Sequence, residues 1–194
     1  TIWAMRNVQE LMVNEGVLFP KAYSTTAECC PFRASFLSGG YNPGSTGVKD
    51  GNALNGSMSH FRDVDSLPRR LQQAGYSTGF VGKYLHGYYA GYVPPGWNSF
   101  VANSINQYLD WTNLKDTTFG SSTDAPTAGE VLKLKVQYVT EFHRDEAVYF
   151  VHSVATEPFF LLVSVLAPHW PTIAAPQDVG LYSNFELSGP WFDE

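Results

Sequence analysis

The chain has 194 residues, of which 44% are hydrophobic and 15% aromatic, and a formal net charge of −6. That is enough apolar material for the core of one domain and too much for a disordered tail, and the acidic balance excludes the basic face that a nucleic-acid partner requires. No apolar run approaches the roughly 20 residues that span a bilayer, and two cysteines, adjacent at Cys29 and Cys30, exclude a disulfide framework and seldom bridge each other because the peptide between them would be strained.

Met5, Val8, Leu11 and Met12 fall at helical spacing and Gly16 follows as a stop, which predicts an amphipathic helix over roughly residues 3 to 15 whose apolar face packs on a core. Val17-Leu18-Phe19 and Ala22-Tyr23 read as a strand or extended segment leading into a cysteine loop. Pro31 suits a first helical turn and Gly39-Gly40 a C-terminal stop, so the residues between them form a short helix with Cys29 at its N-terminus. Unpaired backbone N–H groups and the macrodipole favour anions there, and Arg33, one turn on, lies over the same end. Two small buried residues before a helix would be the ordinary reading of this pair.

The longer string outweighs it. Cys29-x-Pro31-x-Arg33, continued by Ala34-Ser35-Phe36-Leu37-Ser38-Gly39-Gly40-Tyr41, resembles the signature C-x-P-S-R-x-x-x-L-T-G-x-Y of the type I sulfatases. Cys-Cys-Pro is the form found in their glucosamine-6-sulfatase and arylsulfatase-like branch. Phe32 stands where the family usually has Ser, and Ser38 where it has Thr. The resemblance implies that the first cysteine, Cys29, is the one oxidised to formylglycine.

From Tyr41 to Ser59 the chain is dense in Gly, Asn, Ser and Pro and reads as a surface loop bordering a cleft; within it Asn55-Gly56-Ser57 is an N-glycosylation sequon. Ser66 is placed to cap a helix carrying Leu67, Pro68, Leu71 and Ala74 and ending at Gly75, and Tyr76 to Val81 reads as a strand ending near Lys83. Open α/β sheets place ligands at that edge, although a solvated loop lysine is an equally good reading of position alone. Gly82-Lys83-Tyr84-Leu85-His86-Gly87-Tyr88 and Val93-Pro94-Pro95-Gly96-Trp97 resemble the G-K-Y-L-N-x-Y…V-P-P-G-W stretch of the same branch. There the lysine binds the sulfate, and His86 replaces an asparagine as a substrate-binding candidate.

Residues 101 to 129 are compatible with strands and loops, and Val131 to His152 reads as helix up to the break at Glu157-Pro158. The apolar run Phe159 to Leu166 has the length and composition of a central strand covered on both faces. Ala167-Pro168-His169-Trp170-Pro171 then holds a histidine between two prolines, and it resembles the family's A-P-H-x-P, whose histidine contacts the sulfate.

By the resemblance, one hydroxyl of the hydrated aldehyde at residue 29 attacks sulfur, Arg33 holds the hydrate, Lys83 the sulfate and leaving oxygen, and His169 a sulfate oxygen or a proton. The catalytic set is thus Cys29, Arg33, Lys83 and His169. Calcium is the implied metal, with residue 29, as formylglycine, among its ligands; the family's Asp-Asp and Asp-Asn ligand pairs have no counterpart in these 194 residues. The implied fold is α/β, an alkaline-phosphatase-like sulfatase sandwich with a mostly parallel central sheet flanked by helices. Residues 1–194 are expected to be part of the N-terminal catalytic domain, incomplete at both ends and inactive in isolation.

The implied substrate is a sulfate monoester of a sugar or aryl alcohol. The implied partner is a formylglycine-generating enzyme, and the implied location is the secretory pathway, secreted or lysosomal, with the leader upstream of Thr1. A sulfate-binding module without metal is the alternative.

Overall fold

The computed structural model describes residues 5–41, 43–49, 57–104, 113–181 and 183–184. Five strands form one mixed sheet in the order β6-β4-β3-β1-β7, with β1 at Ser77–Lys83, β3 at Ser99–Asn103, β4 at Asn113–Gly120, β6 at Glu130–Lys135 and β7 at Phe159–Ser164. β1 runs parallel to both β3 and β7, whereas β4 is antiparallel to β3 and to β6, so four of the five strands point the same way. A second, two-stranded ladder pairs β2 at Tyr92–Val93 with β5 at Thr127–Ala128. This is the α/β sheet that the sequence implies.

Helices lie on either side of it. α2, Cys29–Ser38, buries Cys30, Pro31, Ala34 and Leu37, spaced to line one side, and ends at Gly39 in the left-handed conformation, φ 72°. Its buried face joins Phe80, Tyr84, Leu85, Tyr88, Trp97 and Phe100 in the main core. Phe80 is the hub: its ring stacks on Phe100 at 5.0 Å and meets Tyr84 and Trp97 edge-on at 5.4 Å. Such pairs add about 0.5–1.5 kcal/mol each beyond the area they bury. α5, Val139–Ser153, covers the other face through Val139, His143 and Phe150. α4, Leu67–Gln73, packs beside β1, and the short α3, Pro43–Thr46, beside α2.

The structure corrects several sequence expectations. The expected helix over residues 3–15 is a single turn, α1 at Arg6–Val8, running into a π-helical turn at Gln9–Val13, and it buries nothing: Leu11 is 72% exposed. Periodicity tells which face needs a partner, not whether one is met. Val17, Leu18, Phe19 and Tyr23 are exposed and lie in no strand.

Ser66 occupies the N-cap of α4, yet its buried hydroxyl makes no capping bond. In the expected surface loop, Thr46, Val48, Ser57 and Met58 are buried, while Asn55 lies outside the described residues. The stretch read as one long helix from Val131 is strand β6 followed by α5. Leu132 and Leu134 alternate with exposed neighbours against Thr117 and Leu114 of β4, a period of two hidden inside a helix-like composition. Among the described strands, β7 is an edge strand rather than a central one, with Phe159 and Val163 exposed; β3 holds the centre, and β1, between β3 and β7, is buried along nearly all its length.

Under α5, His143 is fully buried and its Nε2 lies 2.5 Å from Asn103 Oδ1; because an amide oxygen only accepts, Nε2–H donates. Asn103 in turn donates to Thr117 Oγ1 at 3.2 Å. Burial pushes the His143 imidazole down from 6.5 to about 4. The neutral form is the one the fold accommodates, so this contribution is fully present above pH 6.5 and is lost as pH falls from 6.5 toward 4. At about 1.4 kcal/mol per unit, the loss reaches roughly 3 kcal/mol. Urea denaturation should show the unaltered chain losing about that much more stability between pH 7 and pH 4 than His143→Gln does; equal losses would remove His143 as the cause.

Candidate active site

Three elements converge at the carboxyl end of β1. α2 brings Cys29 as its first helical residue, with Glu28 at the N-cap, and Cys29 is exposed while Cys30 is buried. Lys83 ends β1 and reaches across, its Nζ 3.6 Å from Cys29 Sγ. Arg33, one turn along α2, donates from Nη1 to the Tyr84 carbonyl at 3.4 Å, and the His86 backbone N–H donates to Cys30 Sγ at 3.2 Å. Helix and strand end are therefore tied together at three neighbouring points, which fixes the thiol and the ammonium relative to each other.

A pocket of about 300 Å³ opens beside them, lined by Cys29, Arg33 and Lys83 at its polar end and by Phe32, Phe36 and Val163 among its apolar residues. Lys83 is 7% exposed. Burial, and after it the Arg33 guanidinium, hold its ammonium below the ordinary lysine value, with Cys29 acting the other way. Burial pushes the Cys30 thiol up to about 11, against the His86 N–H. The exposed thiol at the helix N-terminus is thus the one next to a cation, and its neighbour is an inert core residue.

Of the residues singled out in the sequence, the structure brings Cys29, Arg33 and Lys83 together. His169 is exposed, five residues beyond the end of β7, and does not line this pocket. Its backbone turns on Leu166 and Thr172, and its ring Nδ1 donates to the Trp170 carbonyl at 2.8 Å, which leaves the lone pair on Nε2 when the ring is neutral. His86 enters the junction through its backbone. Ser164, at the end of β7, lines the pocket and was not singled out; no motif in the sequence marks it, because it arrives there only through the pairing of β7 with β1.

A calcium ion takes six to eight oxygen ligands. Among the described residues, no three or more His, Cys, Asp or Glu side chains are grouped so as to hold a metal, and the groups around Cys29 include two cations. The described residues do not fit a calcium site.

The sulfatase family model matches residues 2–190. An N-acetylglucosamine-6-sulfatase of Capra hircus is 32% identical over 93% of this chain and 33% of its own length, and an extracellular sulfatase SULF-1 homolog of Drosophila melanogaster is 29% identical over 93% of this chain and 16% of its own. A solved structure of a protein in complex with its substrate D-glucosamine-2-N,6-O-disulfate superimposes with a TM-score of 0.73 at 26% identity, covering 94% of this chain and 33% of that one. The chain therefore spans a third or less of the length of these relatives. The cysteine-proline-arginine helix, the lysine that closes on it from β1 and a family match running from residue 2 to residue 190 agree, and this chain belongs to the sulfatase family.

Proposed function

We propose that the protein carrying this chain hydrolyses sulfate monoesters, that its reacting group is made from Cys29, and that residues 1–194 are part of its catalytic domain. The observation that carries this reading is the placement of Cys29, exposed at the N-terminus of α2, within 3.6 Å of Lys83 Nζ and one turn from Arg33. Conversion of Cys29 to formylglycine supplies a hydrated aldehyde as nucleophile. Exposure of Cys29 and burial of Cys30 favour modification of the first cysteine by a formylglycine-generating enzyme.

Transfer from a sulfate monoester breaks the bond between sulfur and the alcohol oxygen, and negative charge grows on that oxygen. Lys83 and Arg33 are fixed cations placed to offset it without reorganising. His169 is assigned the sulfate oxygen or the proton for the departing alcohol. Its Nδ1–H is committed to Trp170, so Nε2 is the atom that would act. A sugar sulfate is the favoured substrate class, since relatives are named as N-acetylglucosamine-6-sulfatases and one solved neighbour holds a sulfated glucosamine. Synthesis in the secretory pathway accords with the relative named as extracellular.

The test is peptide mapping of the chain after coexpression with a formylglycine-generating enzyme. The expected result is an aldehyde at Cys29 and an intact thiol at Cys30. An aldehyde at Cys30 would defeat the assignment to Cys29, and none at either position would leave only a sulfate-binding crevice.

A further inference from the structure

We infer that Gly82 is a positioning residue that turns Lys83 out of the pleat of β1 and onto Cys29. Along a strand successive side chains alternate between faces. A Cβ on Gly79 would lie 2.8 Å from the Phe150 ring of α5, so position 79 faces α5, whereas Phe80 belongs to the core shared with α2. Continuing the alternation assigns Val81 and Lys83 to the α5 face. The register agrees: Lys83 pairs with Asn103 on the parallel strand β3, and Asn103 points to His143 of α5. Lys83 nevertheless ends at Cys29 on α2.

The alternation breaks at one residue. Gly82 has a φ of +114°, a backbone state that L side chains rarely adopt. A Cβ there would stand 2.2 Å from the Ser164 carbonyl oxygen and 2.8 Å from its carbon. Those atoms are backbone of β7, in register with Gly82, so they cannot swing aside as a side-chain end would. Position 82 therefore excludes every L side chain. With an ordinary strand residue at 82, the pleat would carry Lys83 toward α5, beside Asn103 and His143. Gly82 is the means by which a regular buried strand delivers a cation to its neighbour helix. The role of this placement in hydrolysis rests on the sulfate-ester reading; the placement itself does not.

The experiment uses the unconverted chain, with Cys29 as a thiol, so it needs no hydrolysis. Alkylation of Cys29 by anionic iodoacetate and by neutral iodoacetamide is followed by mass spectrometry at one pH and low salt. The ratio of the two rates reports the cation beside the thiol. Lys83→Ala sets the low reference, expected roughly threefold to tenfold below the unaltered chain. Gly82→Ala should fall to that reference.

Gly79→Ala should keep the unaltered ratio, since the atoms nearest its added methyl are side-chain ends of Phe150 and Leu161, which can give way at a cost in stability without moving Lys83. D-alanine at position 82, introduced by semisynthesis, suits a positive φ and directs its methyl away from Ser164, so it should restore the unaltered ratio. That arm decides the matter if Gly82→Ala does not fold. A folded Gly82→Ala with the unaltered ratio, or a D-alanine chain at the Lys83→Ala ratio, overturns the assignment. Absence of sulfate-ester turnover would sink the functional reading and leave this result standing.

Discussion

Cys29→Ala is expected to abolish sulfate-ester hydrolysis by the protein that carries this chain, lowering kcat by on the order of 10⁴-fold or more, because removing a nucleophile removes the covalent route altogether. The neighbouring substitution separates chemistry from packing. Cys30 is fully buried among the residues of α2 and β1 and accepts a hydrogen bond from the His86 N–H. Cys30→Ala leaves that donor unsatisfied, which costs about 1–3 kcal/mol of stability, yet it leaves the reacting group in place. Steady-state turnover of a fluorogenic aryl sulfate and of a glucosamine 6-sulfate, beside thermal denaturation, checks both. Efficient turnover by Cys29→Ala would defeat the assignment, as would loss of turnover in a stably folded Cys30→Ala.

Lys83→Ala should lower kcat/KM for the same esters by about a hundredfold or more, the typical cost of one positioned electrostatic group in a water-poor site. His169→Ala should show a loss of similar order, and His86→Ala a small one, since His86 reaches the junction through its backbone. Lys83→Arg is not a neutral exchange. The ammonium is a compact point charge 3.6 Å from residue 29 in a buried position, and a planar guanidinium fork needs more room. Its loss should therefore lie nearer that of Lys83→Ala than that of the unaltered protein. Equal, small effects at Lys83, His86 and His169 would place the anion site elsewhere.

Some of this was written locally in the chain. The helix after Cys29 follows from Pro31 and Gly39, and the strand after Gly75 from a turn followed by Phe80 and Val81, so the structure returns both within a residue or two. The motif around Cys29 marks the thiol through its resemblance to the sulfatase signature, whose Cys, Pro and Arg lie within one helical turn. Other readings failed for identifiable reasons. Leu132 and Leu134 alternate, but in a composition that also suits a helix, and only the ladder with β4 selects the strand. The run from Phe159 has the composition of a central strand, yet composition does not state what lies on either side of it, and among the described strands it is at the edge.

Sequence by itself thus determined the α/β class and the family resemblance and singled out Cys29, Arg33 and Lys83 as candidates, because each rests on residues close together along the chain or on a local period. Tertiary structure alone decided that a lysine more than fifty residues from a cysteine would stand 3.6 Å from it. It also decided that Asn103, the register partner of that lysine, would face the opposite helix. The physical reason is that strand order, register and a single backbone angle at Gly82 are set by pairing with β3 and β7, and no local pattern in the sequence encodes which strands will meet.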